Sequence, residues 1–187
     1  QTLGAGDMAI YLDNKLSFTK HYRSYKILDN GPLRTTFILE YEPQDIAGNS
    51  ISLTKTISID ADQNFNKITV NLQNANPSRK STPIAIGLVK RNENSPEVAF
   101  NSNTTSLAYW EPAIQDNGHT GTAIILPKQK VNYVSDDTKQ FLVLSNIENN
   151  KPFTYYNGAA WSKAGYINNA KEWQNFVNEK KKKKQTP

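Results

Sequence analysis

The stretch L-R-T-T-F-I-L-E-Y, Leu33–Tyr41, alternates without a fault. Leu33, Thr35, Phe37, Leu39 and Tyr41 fall on one face of an extended chain, and Arg34, Thr36, Ile38 and Glu40 on the other. That period of two predicts a half-buried antiparallel strand, and the flanks punctuate it. Asp29-Asn30-Gly31-Pro32 before it is a strong turn signal, because glycine supplies positive φ and proline blocks strand continuation. Pro43 to Gly48-Asn49 reads as the turn after it. Beyond that turn Ile51, Leu53, Ile57 and Ile59 share a face on which Lys55 is the one intruder, while Ser52, Thr54, Thr56 and Ser58 face the other way.

The same rhythm extends outward in both directions. Upstream, Leu3–Leu12 and Lys15–Phe18 flank Asp13-Asn14 as a hairpin, and His21–Leu28 follows. Downstream come Phe65–Leu72, the apolar Pro83–Val89, the short Val98–Phe100 and Ser106–Trp110, then Thr122–Leu126 and Gln140–Ile147. Glu111–Gly121 reads as a loop carrying His119. Lys151–Tyr166, K-P-F-T-Y-Y-N-G-A-A-W-S-K-A-G-Y, reads as a glycine-softened aromatic turn, with Tyr155 and Tyr156 on opposite faces so that one of them belongs to the core. Asn168-Asn169 can cap a helix whose Ala170, Trp173, Phe176 and Val177 form one apolar stripe. Many short strands and one late helix predict an all-β, antiparallel two-sheet sandwich with a C-terminal α-helix. Residues 1–179 form a single domain in this reading, and 180–187 a solvated basic tail.

Charge and composition narrow the function classes. Lys180–Lys184 carry the whole formal charge of +5, so the remaining body is near neutral. A nucleic-acid reader spreads basic residues over a face, and this sequence does not, so no nucleic-acid partner is expected. No apolar run approaches the roughly 20 residues a helix needs to span a bilayer, and no membrane partner is expected. The chain has no cysteine and only two histidines, His21 and His119, which removes thiolate chemistry and disfavours zinc. No metal ligands or cofactor can be assigned.

No catalytic spacing is specific. Ser162 lacks the G-x-S-x-G context of a nucleophile elbow, and neither histidine has a recognisable triad partner. What recurs is a combination suited to sugars: Tyr109, Trp110, Tyr155, Tyr156 and Trp161 lie close in sequence to Lys90, Arg91, Glu111, His119 and Lys163. A flat ring covers the apolar face of a pyranose, while arginine or lysine pairs with an acidic sugar's carboxylate. The candidate proton carriers are His119 and Tyr109. The candidate substrate contacts are Arg34, Lys90, Arg91, Glu111, Trp161 and Lys163.

The motifs Y-K-I-L-D-N-G-P-L-R-T-T-F (Tyr25–Phe37), L-E-Y (Leu39–Tyr41), K-T-I-S-I-D-A (Lys55–Ala61), I-G-L-V-K-R (Ile86–Arg91) and Y-Y-N-G-A-A-W-S-K-A-G (Tyr155–Gly165) together resemble the family catalogued as domain of unknown function 4861, found among bacterial polysaccharide-utilisation proteins. The resemblance implies a galactose-mutarotase-like supersandwich, an exported (periplasmic or secreted) location, and work on uronate- or rhamnose-containing glycans. It assigns no catalytic residue. Family members carry further strands before the L-G-A-G segment, here Leu3–Gly6, so the chain is expected to be the C-terminal portion of such a domain, with a missing N-terminal part as a partner. A lyase or dehydratase of this kind would work by β-elimination; a glycoside hydrolase is the other enzymatic form. The alternative is a non-catalytic glycan-binding or structural sandwich.

Overall fold

The computed structural model describes residues 1–91, 94–127, 129–134 and 137–184, with backbone alone over 181–184. Thirteen strands are described: β1 (Ala5–Leu12), β2 (Lys15–Ser17), β3 (Ser24–Asn30), β4 (Arg34–Ile46), β5 (Asn49–Asp60), β6 (Phe65–Asn74), β7 (Ser81–Val89), β8 (Glu97–Asn101), β9 (Ser106–Trp110), β10 (Thr120–Ile125), β11 (Asn132–Val134), β12 (Gln140–Glu148) and β13 (Phe153–Trp161). The helix α1 (Ala170–Lys184) follows. Five strands in the order β11-β12-β7-β1-β2 form one sheet, and eight in the order β3-β4-β5-β6-β13-β10-β9-β8 form the other. The described pairings are antiparallel, so the predicted all-β sandwich with a late helix is the fold. The helix runs through Lys184, so part of the predicted tail at 180–187 is helical backbone; residues 185–187 lie outside those described.

The core divides into three clusters, one of them the small group of Leu3, Ala9, Ala85 and Leu142. Between the sheets lie Met8, Ile10, Leu53, Val70, Leu72, Ile86, Leu88, Ile124 and Tyr155, among others, all nearly or wholly buried. On the opposite face of the eight-stranded sheet, Trp110, Phe65, Ala108, Ala123 and Ala160 meet Trp173 and Val177 of α1. The helix start is capped as its asparagines suggest. Asn169 Oδ1 accepts the Glu172 N–H at 3.0 Å, and Glu172 reaches back to accept the Asn168 N–H at 2.7 Å.

Three local expectations change. Lys151–Tyr166 is not a turn: Phe153–Trp161 is a central strand, paired with β6 on one side and β10 on the other. Gly158 is required by closeness, since a Cβ there would lie 2.4 Å from the Asn64 carbonyl oxygen and 2.5 Å from the Phe65 ring. Gly158→Ala is therefore expected to destabilise the chain by about 1–3 kcal/mol, read as a lower midpoint in urea unfolding with an unchanged slope. Pro43 likewise does not end its strand. β4 continues to Ile46 past a bulge between Tyr41 and Gln44. Pro43 falls within that bulge, and the pairing with β3 has already ended at Glu40, so neither ladder calls on its missing N–H. Third, Asn132–Val134 is an extra edge strand against β12, too short to show a period.

Candidate functional site

The predicted polar residues gather mainly at one end of the eight-stranded sheet, where β9 and β13 finish and β10 begins. The loop from Glu111 to His119 folds back on itself there. Its only regular piece is a single 3-10 turn at Gln115–Asn117, and Gly118 follows at φ +77°. The Glu111 N–H donates to the Thr120 carbonyl at 2.8 Å, closing the loop at its base. Ser162 brackets His119 from the end of β13. Its Oγ accepts the His119 N–H at 2.9 Å, and its own N–H donates to the His119 carbonyl at 3.0 Å. That approach needs glycine next door, because a Cβ on Gly118 would lie 2.5 Å from Ser162 Oγ.

His119 itself is held on three sides. Its ring stacks on Trp110, with centroids 5.7 Å apart and planes 15° off parallel. Nδ1 lies 2.9 Å from the Glu111 carbonyl oxygen, and a carbonyl can only accept, so Nδ1 carries the proton. In the neutral ring the lone pair is then on Nε2, for which no described residue is a partner. This is the tautomer a general base needs.

Glu111 joins the two sheets. Its side chain is 5% exposed, and Oε2 accepts from Arg91 Nε at 2.6 Å. Arg91 follows β7 of the five-stranded sheet, and its backbone N–H donates to Tyr109 Oη at 3.2 Å. The hydrogen bond it donates to Glu111 raises the Arg91 guanidinium above its ordinary value, with burial opposing, so the arginine stays cationic throughout the working pH range. Glu111 engages Nε alone, and the arginine side chain is 45% exposed. Its two Nη nitrogens can still meet an incoming carboxylate.

Trp161 completes the group. The residue is 51% exposed while Nε1 donates to the Asn117 carbonyl at 2.7 Å, so the indole is held on a partly open surface. Lys163 is exposed on the 3-10 turn at Ser162–Ala164, beside the same loop. Tyr109 belongs to the group only as support. It is fully buried against Phe141 at 5.1 Å and cannot touch a substrate from there.

Two candidates lie elsewhere. Lys90 turns onto the Phe141 ring, 4.8 Å from its centroid, and donates to the Asp137 carbonyl. Arg34 sits on β4, separated from β10 by β5, β6 and β13, and pairs with Asp60 through two contacts of 2.5 and 3.0 Å. It is a surface ion pair closing the end of the β4–β5 hairpin. The residues that sequence reasoning did not assign to the site are Trp110, Ser162 and Asn117, which position His119 and Trp161. Trp110 was legible only as one aromatic among several, and nothing in sequence joins Ser162 to a histidine 43 positions away.

A cleft of about 800 Å³ lined by Asp62, Gln63, Asn64, Tyr166, Phe176, Glu179 and Lys180 contains none of the predicted residues. Among the described residues, no three histidine or carboxylate side chains are grouped so as to hold a metal ion. No helix there is long and apolar enough to cross a membrane.

Two comparisons bear on ancestry. The family described as "Domain of unknown function (DUF4861)" matches residues 1–187. A protein of Formosa agariphila named "Uncharacterized protein P7" is 30% identical over 190 residues, covering 98% of this chain. The chain spans 46% of that relative's length.

Proposed function

This chain belongs to the family described as Domain of unknown function (DUF4861), and from that premise and its His119 site we propose that it acts on acidic, uronate-containing carbohydrate. The observation that carries the reading is the fixed tautomer of His119, Nδ1–H on the Glu111 carbonyl and Nε2 open, beside an arginine bound to that same glutamate. Trp161 offers a flat exposed ring for a pyranose face. In a β-elimination the Arg91 Nη groups pair with the uronate carboxylate and favour charge that develops next to it. Nε2 of His119 takes the C5 proton, the C5–H electron pair forms the C4–C5 double bond, and the C4–O bond breaks. The departing oxygen recovers a proton from the imidazolium or from water. An exported location, periplasmic or secreted, goes with a polymeric substrate.

The test is ultraviolet absorbance of the new double bond while the purified chain is incubated with uronate oligosaccharides. His119→Ala is expected to lower the rate by about 100-fold or more, since a positioned acid or base contributes on that order. A second reading is favoured by the share of the relative that the chain spans: a glycan-binding or structural portion of a longer protein. Binding without product, unchanged in His119→Ala, would give that reading and remove the first.

A further inference from the structure

The cleft of about 800 Å³ between the β5–β6 turn and α1 shares no residue with the His119 group and opens to solvent. Its volume lies within the range of about 300–1,000 Å³ usual for small-molecule sites. Asn64 anchors one wall. Its backbone carbonyl accepts the Ala159 N–H at 3.1 Å, and its side-chain Nδ2 donates to the Ala159 carbonyl at 3.0 Å, so the residue is clamped to β13. The same Nδ2 donates to Tyr166 Oη at 2.9 Å, which fixes the end of a residue that is 59% exposed. Phe176 of α1 lines the cleft too, stacked on Phe65 with centroids 6.3 Å apart and planes 20° off parallel.

Polar groups are left over for a ligand. Both Asn64 amide hydrogens are engaged, so its Oδ1 is the side-chain acceptor that remains. Tyr166 Oη accepts from Asn64 and keeps its own hydrogen to donate. Lys180 Nζ donates to Gln63 Oε1, which joins the helix to the turn and leaves Gln63 Nε2 as a donor. The Asp62 and Glu179 carboxylates line the same cleft, and neither has a partner among the described residues.

We propose that this cleft binds an uncharged saccharide, one pyranose face laid on the Tyr166 ring and its hydroxyls hydrogen-bonded to Asn64, Gln63, Asp62 and Glu179. The chemistry selects that class. An anion would meet two carboxylates against one lysine that already serves Gln63. A cation would meet Lys180 and the four lysines that follow it in sequence. Hydroxyls carry no charge, donate to the carboxylates and to Asn64 Oδ1, and accept from Gln63 and from the Tyr166 hydroxyl. The exposed ring supplies the flat apolar surface that a pyranose face needs. Asn64 and Tyr166 are held before a ligand arrives, so little ordering is left to offset the contacts. The inference is independent of the His119 chemistry, and the elimination assay does not read this cleft.

The experiment is a nuclear magnetic resonance titration of the isotope-labelled chain with cellotriose, maltotriose and mannotriose, and with trigalacturonate as the charged comparison. The readout is the side-chain amide signals of Asn64 and Gln63. At least one neutral trisaccharide is expected to shift both signals saturably, in the millimolar range or tighter, and to bind at least about ten-fold more tightly than trigalacturonate. Tyr166→Ala should weaken that trisaccharide about ten-fold, through the lost ring face and hydroxyl. The residue is mostly exposed, so this variant should keep its backbone spectrum away from the cleft. Asp62→Asn gives a second variant. Asparagine tolerates the φ of +57° there, and the change should weaken binding about three-fold by removing a charge-assisted acceptor. No shift with any neutral trisaccharide, trigalacturonate binding as tightly as they do, or wild-type affinity in Tyr166→Ala overturns the proposal.

Discussion

Trp173→Ala is expected to lower the stability of the chain by about 3–5 kcal/mol, the usual cost of truncating a buried aromatic residue. The indole is fully buried, stacks on Phe65 with centroids 5.8 Å apart and on Phe176 at the same separation, and donates Nε1–H to the Thr122 carbonyl at 3.1 Å. Its seat is made of absent side chains. A Cβ on Gly121 would lie 2.9 Å from both the Trp173 and Trp110 rings, and Ala108, Ala123 and Ala160 belong to the same layer. Such a rigid floor cannot collapse to fill the hole, which places the loss toward the upper end of that range. The measurement is urea unfolding followed by far-ultraviolet circular dichroism. Loss of helical signal ahead of the sheet transition would show that α1 depends on this one side chain, and a loss under about 1 kcal/mol would refute the account.

The same seat explains what the sequence hid. Leu33–Tyr41 was legible because its period is local, and so were the Asp13-Asn14 turn, with both residues at positive φ, and the capped start of α1. N-G-A-A-W was not. Glycine and alanine in a row carry a turn signal, yet at residues 157–161 they line a central strand under a helix that is nine positions further on at its start. Small residues were chosen by a distant indole, and no local pattern records that. Pro43 misled for a related reason: whether a proline ends a strand depends on whether a neighbour needs its N–H, and at Pro43 the β3 pairing has ended and the β5 pairing is bulged.

The candidate site was legible as a list of residue types and not as an arrangement. Arg91, Glu111, His119 and Trp161 meet because two sheet ends and one folded loop coincide. Tyr109 and Lys90 sit beside those residues in sequence but turn toward Phe141. Lys55 shows the opposite case. It broke an apolar stripe, a signal visible in sequence, but its partner Asp7 is 48 positions away.

That buried lysine sets up the other large effect. Asp7→Ala removes the contact that compensates the Lys55 ammonium, and is expected to destabilise the chain by about 2–4 kcal/mol, discounted from the usual cost of breaking a buried pair because the carboxylate is half exposed. It also takes away the acceptor of the Met8 N–H, 2.8 Å from Oδ1. Lys55→Met should behave differently. An apolar chain of similar length suits the stripe of Leu53, Val70 and Ile57, so the change should stay within about 1 kcal/mol of wild type despite the lost contact with the Tyr41 ring. In the double variant Asp7→Ala, Lys55→Met most of the loss should be recovered, because no charge is left stranded in the core. Guanidinium chloride unfolding of the four proteins closes the cycle. Recovery means that the pair costs the fold more than it contributes. If Lys55→Met alone is as damaging as Asp7→Ala, the lysine holds the sheets together and a purely architectural role is sufficient.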